Sequence, residues 1–355
     1  PLETYFSQEE LGMFREEFLE EGRFLADEKL YILPIAKSSE NLYVNKTYWE
    51  QFAKDNNLQQ DELATWEGLL RVAKLYYEKT GKGFFGIDSN ANYMLVSAMQ
   101  LGQEMFVYTS DNSVEFNLSE EIARKMWEQF YIPYIRGYFV KTGRFSSDDA
   151  KTGTVLAYTG STAGASYFPS EVTFSQANVE AIEPLVLPYP YYEEGDAYTM
   201  QQGAGMCMTK SNYTHEYAAA QFLRWFTQVE QNTRFAISTG YIPVKKEALD
   251  EALMLKVMQE EGIQNPTIEA SIRSTVKMID TYHFYNNKPF KGSYEMRILL
   301  ETHLVDKVHK DLAQLEASNL EADAREAKVQ ELISEEAFKR WYQSLFEEAE
   351  RILES

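Results

Sequence analysis

The sequence predicts an α/β fold, and three observations carry that expectation. Short runs rich in β-branched and aromatic residues alternate with stretches of helical periodicity along most of the chain. That alternation is the pattern of strands joined by crossover helices, and it predicts mainly parallel sheet. The chain has 355 residues, 44% of them hydrophobic and 14% aromatic, enough to bury one large core or two smaller ones. No internal repeat, low-complexity linker or heptad run interrupts the alternation.

In chain order, Ser7 and Glu10 form a capping-box signature that opens a helix after an extended start. Residues 30–35 read as a strand, 37–41 as a polar interruption and 42–45 as its resumption. Thr47 caps a helix to about residue 56. Residues 61–80 place Leu63, Trp66, Leu69, Leu70 and Ala73 on one helical face. Gly81 and Gly83 end it, and residues 84–87 form a strand. A helix over 92–101 and a strand over 105–108 follow. The next helix runs from 118 to about 136 and is kinked or broken near Pro133. Strands are expected over 154–158, 182–187 and 203–208, with 160–164 as a loop opening a helix. Residues 214–229 are an amphipathic helix, and the chain after Lys246 is mostly helical. That tail is too long for a single cap and is expected to wrap back onto an earlier part of the fold.

Composition excludes several functions. A net charge of -21 supplies no basic field for nucleic acid or anionic lipid. One cysteine, Cys207, excludes an intrachain disulfide and a thiolate metal cluster. Between Met206 and Met208 it reads as a small buried hydrophobe. No run of about 18 apolar residues is present to span a membrane. The chain starts at Pro1 rather than Met, so a targeting segment is expected to have preceded it. There is no phosphate-binding or dinucleotide glycine motif and no His-Glu-x-x-His, and no cofactor is implied. His215, His283, His303 and His309 lack metal-ligand company; His215 begins a helix and the others fall on helical stretches. Ser274 to Lys277, Ser110 to Asn112 and the Lys-Thr-Gly runs at Lys141 and Lys151 mimic a penicillin-recognising serine enzyme, but the nucleophile motif comes last.

What remains is a set of small, hydroxyl, aromatic and cationic residues at strand ends and helix starts: Ser38, Ser39, Ser161, Thr162, Gly203, Tyr241 and Arg297. Tyr241 stands on a turn between Gly240 and Pro243, where the backbone is tightly specified; alone, this is an ordinary turn with a packed ring. Hydroxyls, bare backbone N–H groups and a ring suit a polyol, and an Arg fork suits phosphate or carboxylate. Such a set fits a binding cleft better than a catalytic site.

At this point the chain resembles the extracellular solute-binding proteins of bacterial ABC importers, the family of the maltose- and glycerol-3-phosphate-binding proteins. The matching stretches are Leu30-Tyr-Ile-Leu-Pro-Ile-Ala36, Leu42-Tyr-Val-Asn-Lys46, Tyr158-Thr-Gly-Ser-Thr-Ala-Gly164, Gly203-Ala-Gly-Met-Cys-Met208 and Ser238-Thr-Gly-Tyr-Ile-Pro-Val244, in family order. The resemblance implies a two-lobed periplasmic-binding-protein type II fold, helix-rich, with lobe one truncated at its N-terminus. It implies lobe one at 1–37 and 206–242, lobe two at 38–205 and 243–355, and hinge crossings near Ser38 and Gly203. It implies a non-catalytic protein outside the cytoplasm, in the periplasm or anchored as a lipoprotein, whose partners are a small sugar or polyol-phosphate ligand and the importer's membrane subunits. The glycerol-3-phosphate branch resembles it most: the hydroxyls and Gly203 would bond ligand oxygens, Tyr241 would cover the ligand face and Arg297 would pair with phosphate. Gln201, Gln202, Ala163 and Gly164 depart from that branch. A neutral oligosaccharide, with Arg297 paired to Glu295 or Glu301, is the competing ligand, and a glycan-acting α/β enzyme is the competing function.

Overall fold

The computed structural model of the chain describes residues 1–25, 27–109, 113–175 and 177–355. Its main sheet has four strands, in the order Phe85–Ile87, Ala157–Ser161, Glu40–Asn45 and Pro184–Pro188. Phe85–Ile87 runs parallel to Ala157–Ser161, but Glu40–Asn45 is antiparallel to both its neighbours. The expectation of mainly parallel sheet therefore fails here. Glu40–Asn45 is reached from Leu33–Ser38 through a single residue, Ser39, with no crossover helix to impose a parallel direction.

Leu33–Ser38 belongs to a second sheet, paired antiparallel with Gln202–Met206 and in register Lys37 with Gly203 and Ser38 with Gln202. Residues 33–45 are buried throughout, so the polar segment 37–41 is interior and not a surface break. Just before Gln202–Met206, Tyr198–Met200 runs parallel to His283–Tyr285, so His283 is in a strand and not on a helix. Two hairpins escaped the sequence pattern, Phe106–Tyr108 with Val114–Phe116 and Glu171–Ser175 with Asn178–Ala181. Their strands are three to five residues long, too short for alternation to register.

Local chemistry sets the helices. The Ser7 and Glu10 capping box forms as expected. Asn45, not Thr47, caps Lys46–Asn56 by accepting from Tyr48 N (3.2 Å). The helix begun at Glu120 passes through a π-helical turn, Trp127–Tyr131, into Ile132–Arg136; Pro133 lacks the N–H that would continue the ladder. Trp127 and Tyr131 stack at 3.8 Å and pack on Phe338 and Trp341 of the last helix, Glu335–Glu354. The long helix Ser293–Ala317 lies along Asn90–Gln100, where Asn90 Nδ2 donates to Leu300 O (2.6 Å). Cys207 is exposed, contrary to the expected burial. It follows Gln202–Met206, whose residues 203–206 are exposed because that strand has a single neighbour.

Candidate functional site

Three chain passages run side by side between the sheets. Leu33–Ser38 continues through Ser39 into the main sheet, Tyr198–Met200 continues into Gln202–Met206, and the segment after Gly240 pairs with Lys37 through Lys37 N donating to Ile242 O (2.9 Å). Hydrogen bonds between hydroxyls tie the passages together. Ser39 Oγ lies 2.8 Å from Thr199 Oγ1, Ser39 N donates to Thr162 Oγ1 (3.1 Å) and Thr162 N donates to Ser39 O (2.8 Å).

A cavity of about 470 Å³ opens beside these passages. Its polar lining includes Glu21, Gln201, Gln202, Asn286, Asn287 and Arg297, and its apolar lining includes Phe106, Met200 and Tyr294. Gly203 borders it with φ 113°, and a side chain there would meet the Ala36 carbonyl and approach Lys37 Cα to 2.6 Å. Lys37, 1% exposed, is ion-paired with Glu21, and Gln201 Nε2 donates to the same carboxylate (3.0 Å). Burial holds the Lys37 ammonium below its usual range, and the Glu21 charge opposes that fall. Gln201 Oε1 is buried and, among the described residues, accepts no hydrogen bond, so it can take one from a ligand hydroxyl.

Arg297 is exposed, and its Nη2 donates to Asn92 Oδ1 (2.8 Å). Among the described residues no carboxylate lies within 4.0 Å of it. Glu301, one turn further along, instead caps Asn90–Gln100, accepting from Ser89 Oγ (3.0 Å) and Ala91 N (2.9 Å). Behind Asn92 lies Glu40, 3% exposed, whose carboxyl burial pushes up to about 8. The neighbouring Asp88 is also pushed up by burial, although its Oδ1 accepts from Ser146 N (2.6 Å).

The expected residues fall into two groups. Gly203 and Arg297 share the large cavity. Thr162 and Tyr241 line a crevice of only about 20 Å³ with Met254, Ile272 and Thr275. Ser161 opens the turn holding Thr162, its Oγ accepting from Ala163 N (3.2 Å), and its backbone pairs with Glu40. Ser38 and Ser39 are buried between the groups, and Ser39 spends its hydroxyl on Thr199. Sequence reasoning missed Glu21, Lys37, Glu40, Asn92, Gln201 and Tyr294; the Ser-Tyr-Glu-Met-Arg run around Arg297 held the only signal, for Tyr294.

The serine-enzyme mimic does not assemble. Ser274 Oγ donates to buried Asn41 (3.0 Å), while Lys141 Nζ donates to the Ile87 and Asp88 carbonyls (3.1 and 2.6 Å). Ser110, Asp111 and Asn112 lie outside the described residues. Among the described residues no three His, Cys, Asp or Glu side chains are grouped to hold a metal, and no helix is long and apolar enough to cross a membrane.

Comparison with known proteins adds the following. Residues 16–269 match the family described as bacterial extracellular solute-binding protein. A search of curated protein sequences found no match. Among solved structures, the chain is similar to an extracellular solute-binding protein of family 1 from Alicyclobacillus acidocaldarius, at TM-score 0.67 and 13% identity, covering 97% of this chain and 77% of that one. It is similar to the cyclic alpha-maltosyl-1,6-maltose binding protein from Arthrobacter globiformis, at TM-score 0.62 and 16% identity, covering 94% and 78%. It is also similar to UgpB from Mycobacterium tuberculosis in complex with glycerophosphocholine, at TM-score 0.62 and 17% identity, covering 90% and 79%. At such identities the likeness speaks for the fold.

Proposed function

We propose a function for this chain, which belongs to the bacterial extracellular solute-binding protein family and has that family's two-lobed, helix-rich α/β fold: it captures a carbohydrate or polyol phosphate between its lobes, without catalysis, for the membrane subunits of an ABC importer. The observation that carries this reading is the cavity that joins the Gln201–Gly203 passage to Arg297. We assign residues 1–37 and 206–242 to one lobe and 38–205 and 243–355 to the other. The bonded passages at Ser38 to Ser39 and Thr199 to Gly203 are then the hinge. A ligand that bonds both sides favours the closed arrangement, and closure follows from that difference in affinity. The site works outside the cytoplasm, as the family's description implies.

The lining supports the ligand class. Amides at Gln201, Gln202, Asn286 and Asn287 suit hydroxyl groups, and the Tyr294 ring, 72% exposed, suits the apolar face of a sugar or glycerol unit. Arg297, unpaired by carboxylate among the described residues, suits a phosphate. Ser38, Ser161 and Tyr241 join the site from across the hinge in this reading. The relatives described as binding a cyclic maltose compound and glycerophosphocholine fit the two branches of the class.

The test is thermal denaturation of the chain with maltotriose, sn-glycerol 3-phosphate and glycerophosphocholine. A bound ligand at a hundredfold excess over Kd stabilises by about 2.7 kcal/mol. Arg297→Gln is expected to abolish the shift with the phosphate compounds and to leave a maltotriose shift in place. Absence of any shift with all three sinks the reading.

A further inference from the structure

The buried Glu40 carboxyl has no part in a simple sugar site, yet it lies behind the one exposed cation of the cavity wall. Glu40 opens the central strand of the main sheet, directly after the passage at Ser39. Its carboxyl hydrogen-bonds the side chain of Asn92, 1% exposed, and the other end of that amide accepts from Arg297 Nη2 (2.8 Å). The three groups therefore form a relay from the interior to the cavity, with Asn92 as a rigid middle member held in the first turn of Asn90–Gln100. We propose that Glu40 is a positioning residue: through Asn92 it sets whether Arg297 is held against the strand end or is available to an anionic group of the ligand. This rests on the cleft reading above.

The sign follows from the charges around Glu40. Facing it are Asp88 from the segment after Phe85–Ile87, Arg297 and Glu301 from Ser293–Ala317, Tyr43 on its own strand, and Tyr189 after Pro184–Pro188. Lys141 and Asp149 act one step away, through Asp88. Burial raises the Glu40 carboxyl to about 8, so at neutral pH it is mostly a neutral acid. Above that pH it becomes a buried anion, and the charge nearest to offset it is Arg297. A ligand phosphate then competes with Glu40 for the same guanidinium. By linkage, anion affinity is full below pH 8 and falls above it.

Two readouts test this. The first needs no ligand: the Arg297 Nε–H resonance, assigned by comparison with Arg297→Lys, should titrate with a midpoint near pH 8 and should stop titrating in Glu40→Gln, which mimics the neutral acid. The second is calorimetric binding of glycerophosphocholine, whose phosphodiester does not titrate between pH 6.5 and 9.5. Wild type should weaken by about tenfold over that range, one unit of reciprocal displacement of the Glu40 pKa, and Glu40→Gln should keep its pH 6.5 affinity throughout. If Glu40→Gln does not fold, Asn92→Ser breaks the relay at its middle and should likewise silence the Arg297 titration. An Arg297 resonance that ignores pH in wild type, or titrates unchanged in Glu40→Gln, overturns the proposal. If the resonance titrates through Glu40 but glycerophosphocholine does not bind at any pH, the relay is supported and the phosphate branch of the cleft reading is overturned.

Discussion

Tyr241 follows the left-handed turn at Gly240 (φ 75°), half-buried, with its backbone N bonded to Ala236 O (2.9 Å). Gly240 is pressed so close to the Ser161 to Ala163 turn that a Cβ there would sit 2.9 Å from Ala163 O. This brings Tyr241 beside Thr162, as expected of two groups sharing a site, but in a crevice too small for a ligand unless the lobes part. Tyr241→Ala separates the two roles. A half-buried ring at a cleft edge should cost about 1–2 kcal/mol of stability, below the roughly 3–5 kcal/mol of a fully buried aromatic, while ligand affinity drops by about tenfold or more. Chemical denaturation beside calorimetry measures both. A loss of core size with unchanged affinity would return Tyr241 to ordinary packing.

Two elements make the hinge readable in physical terms. Gln202–Met206 can lie against Leu33–Ser38 only because Gly203 adopts φ 113° and brings no side chain to the Ala36 carbonyl. Gly203→Ala is therefore expected to destabilise by about 1–3 kcal/mol from backbone strain alone, visible as a lower urea midpoint, and to weaken binding because the strand borders the cavity. At the other end of the same sheet, Glu10 of the first helix binds Arg224 of Tyr213–Phe226 (2.6 Å). The Arg224 bond, with the Ser7 backbone, lowers the Glu10 carboxyl to about 2. A lowered carboxyl contributes stability above its unfolded value near 4.5 and loses it as pH falls toward 2. The pair is about one-third exposed, so after screening Glu10→Gln should cost about 1 kcal/mol at pH 7 and nothing near pH 2. A pH-independent difference would assign the loss to packing. The capping box, the Gly240 turn and the Pro133 break were legible because each depends on neighbours within a few residues. The Glu40, Asn92 and Arg297 relay was not, because its members come from a strand and two helices up to 257 positions apart in the numbering of this chain. Sheet direction was misread for the same reason: nothing local in Ser38 to Asn41 tells that the chain passes straight between sheets.

Over the whole molecule, one face stands apart from the satisfied interior. Gln202–Met206 has a neighbour on one edge, and residues 203–206 are exposed. Beside it in sequence, Tyr213–Phe226 turns Tyr213 (72% exposed) and Tyr217, Phe222 and Trp225 (47% each) to solvent. Tyr213 stacks on Tyr217 at 5.9 Å, and Phe222 lies 5.7 Å from Trp225, so the rings pack on one another and not on a core. The helix keeps its periodicity, but Ala220 and Leu223 are its fully buried apolar positions. Amphipathicity was legible in the sequence; that both faces are apolar was not read, because the pattern assigns one face to the core and assumes the other is wet. Such a patch with an open strand edge favours association. The net charge of -21 opposes it, and salt screens that repulsion. The chain is therefore expected to be monomeric in dilute low-salt buffer and to self-associate as protein and salt rise, reported by sedimentation velocity and by binding of an apolar dye. Phe222→Ser with Trp225→Ser should restore the monomer at high salt while leaving helix content unchanged by circular dichroism. Association that weakens with salt, or that survives both substitutions, would place the contact elsewhere and make it electrostatic.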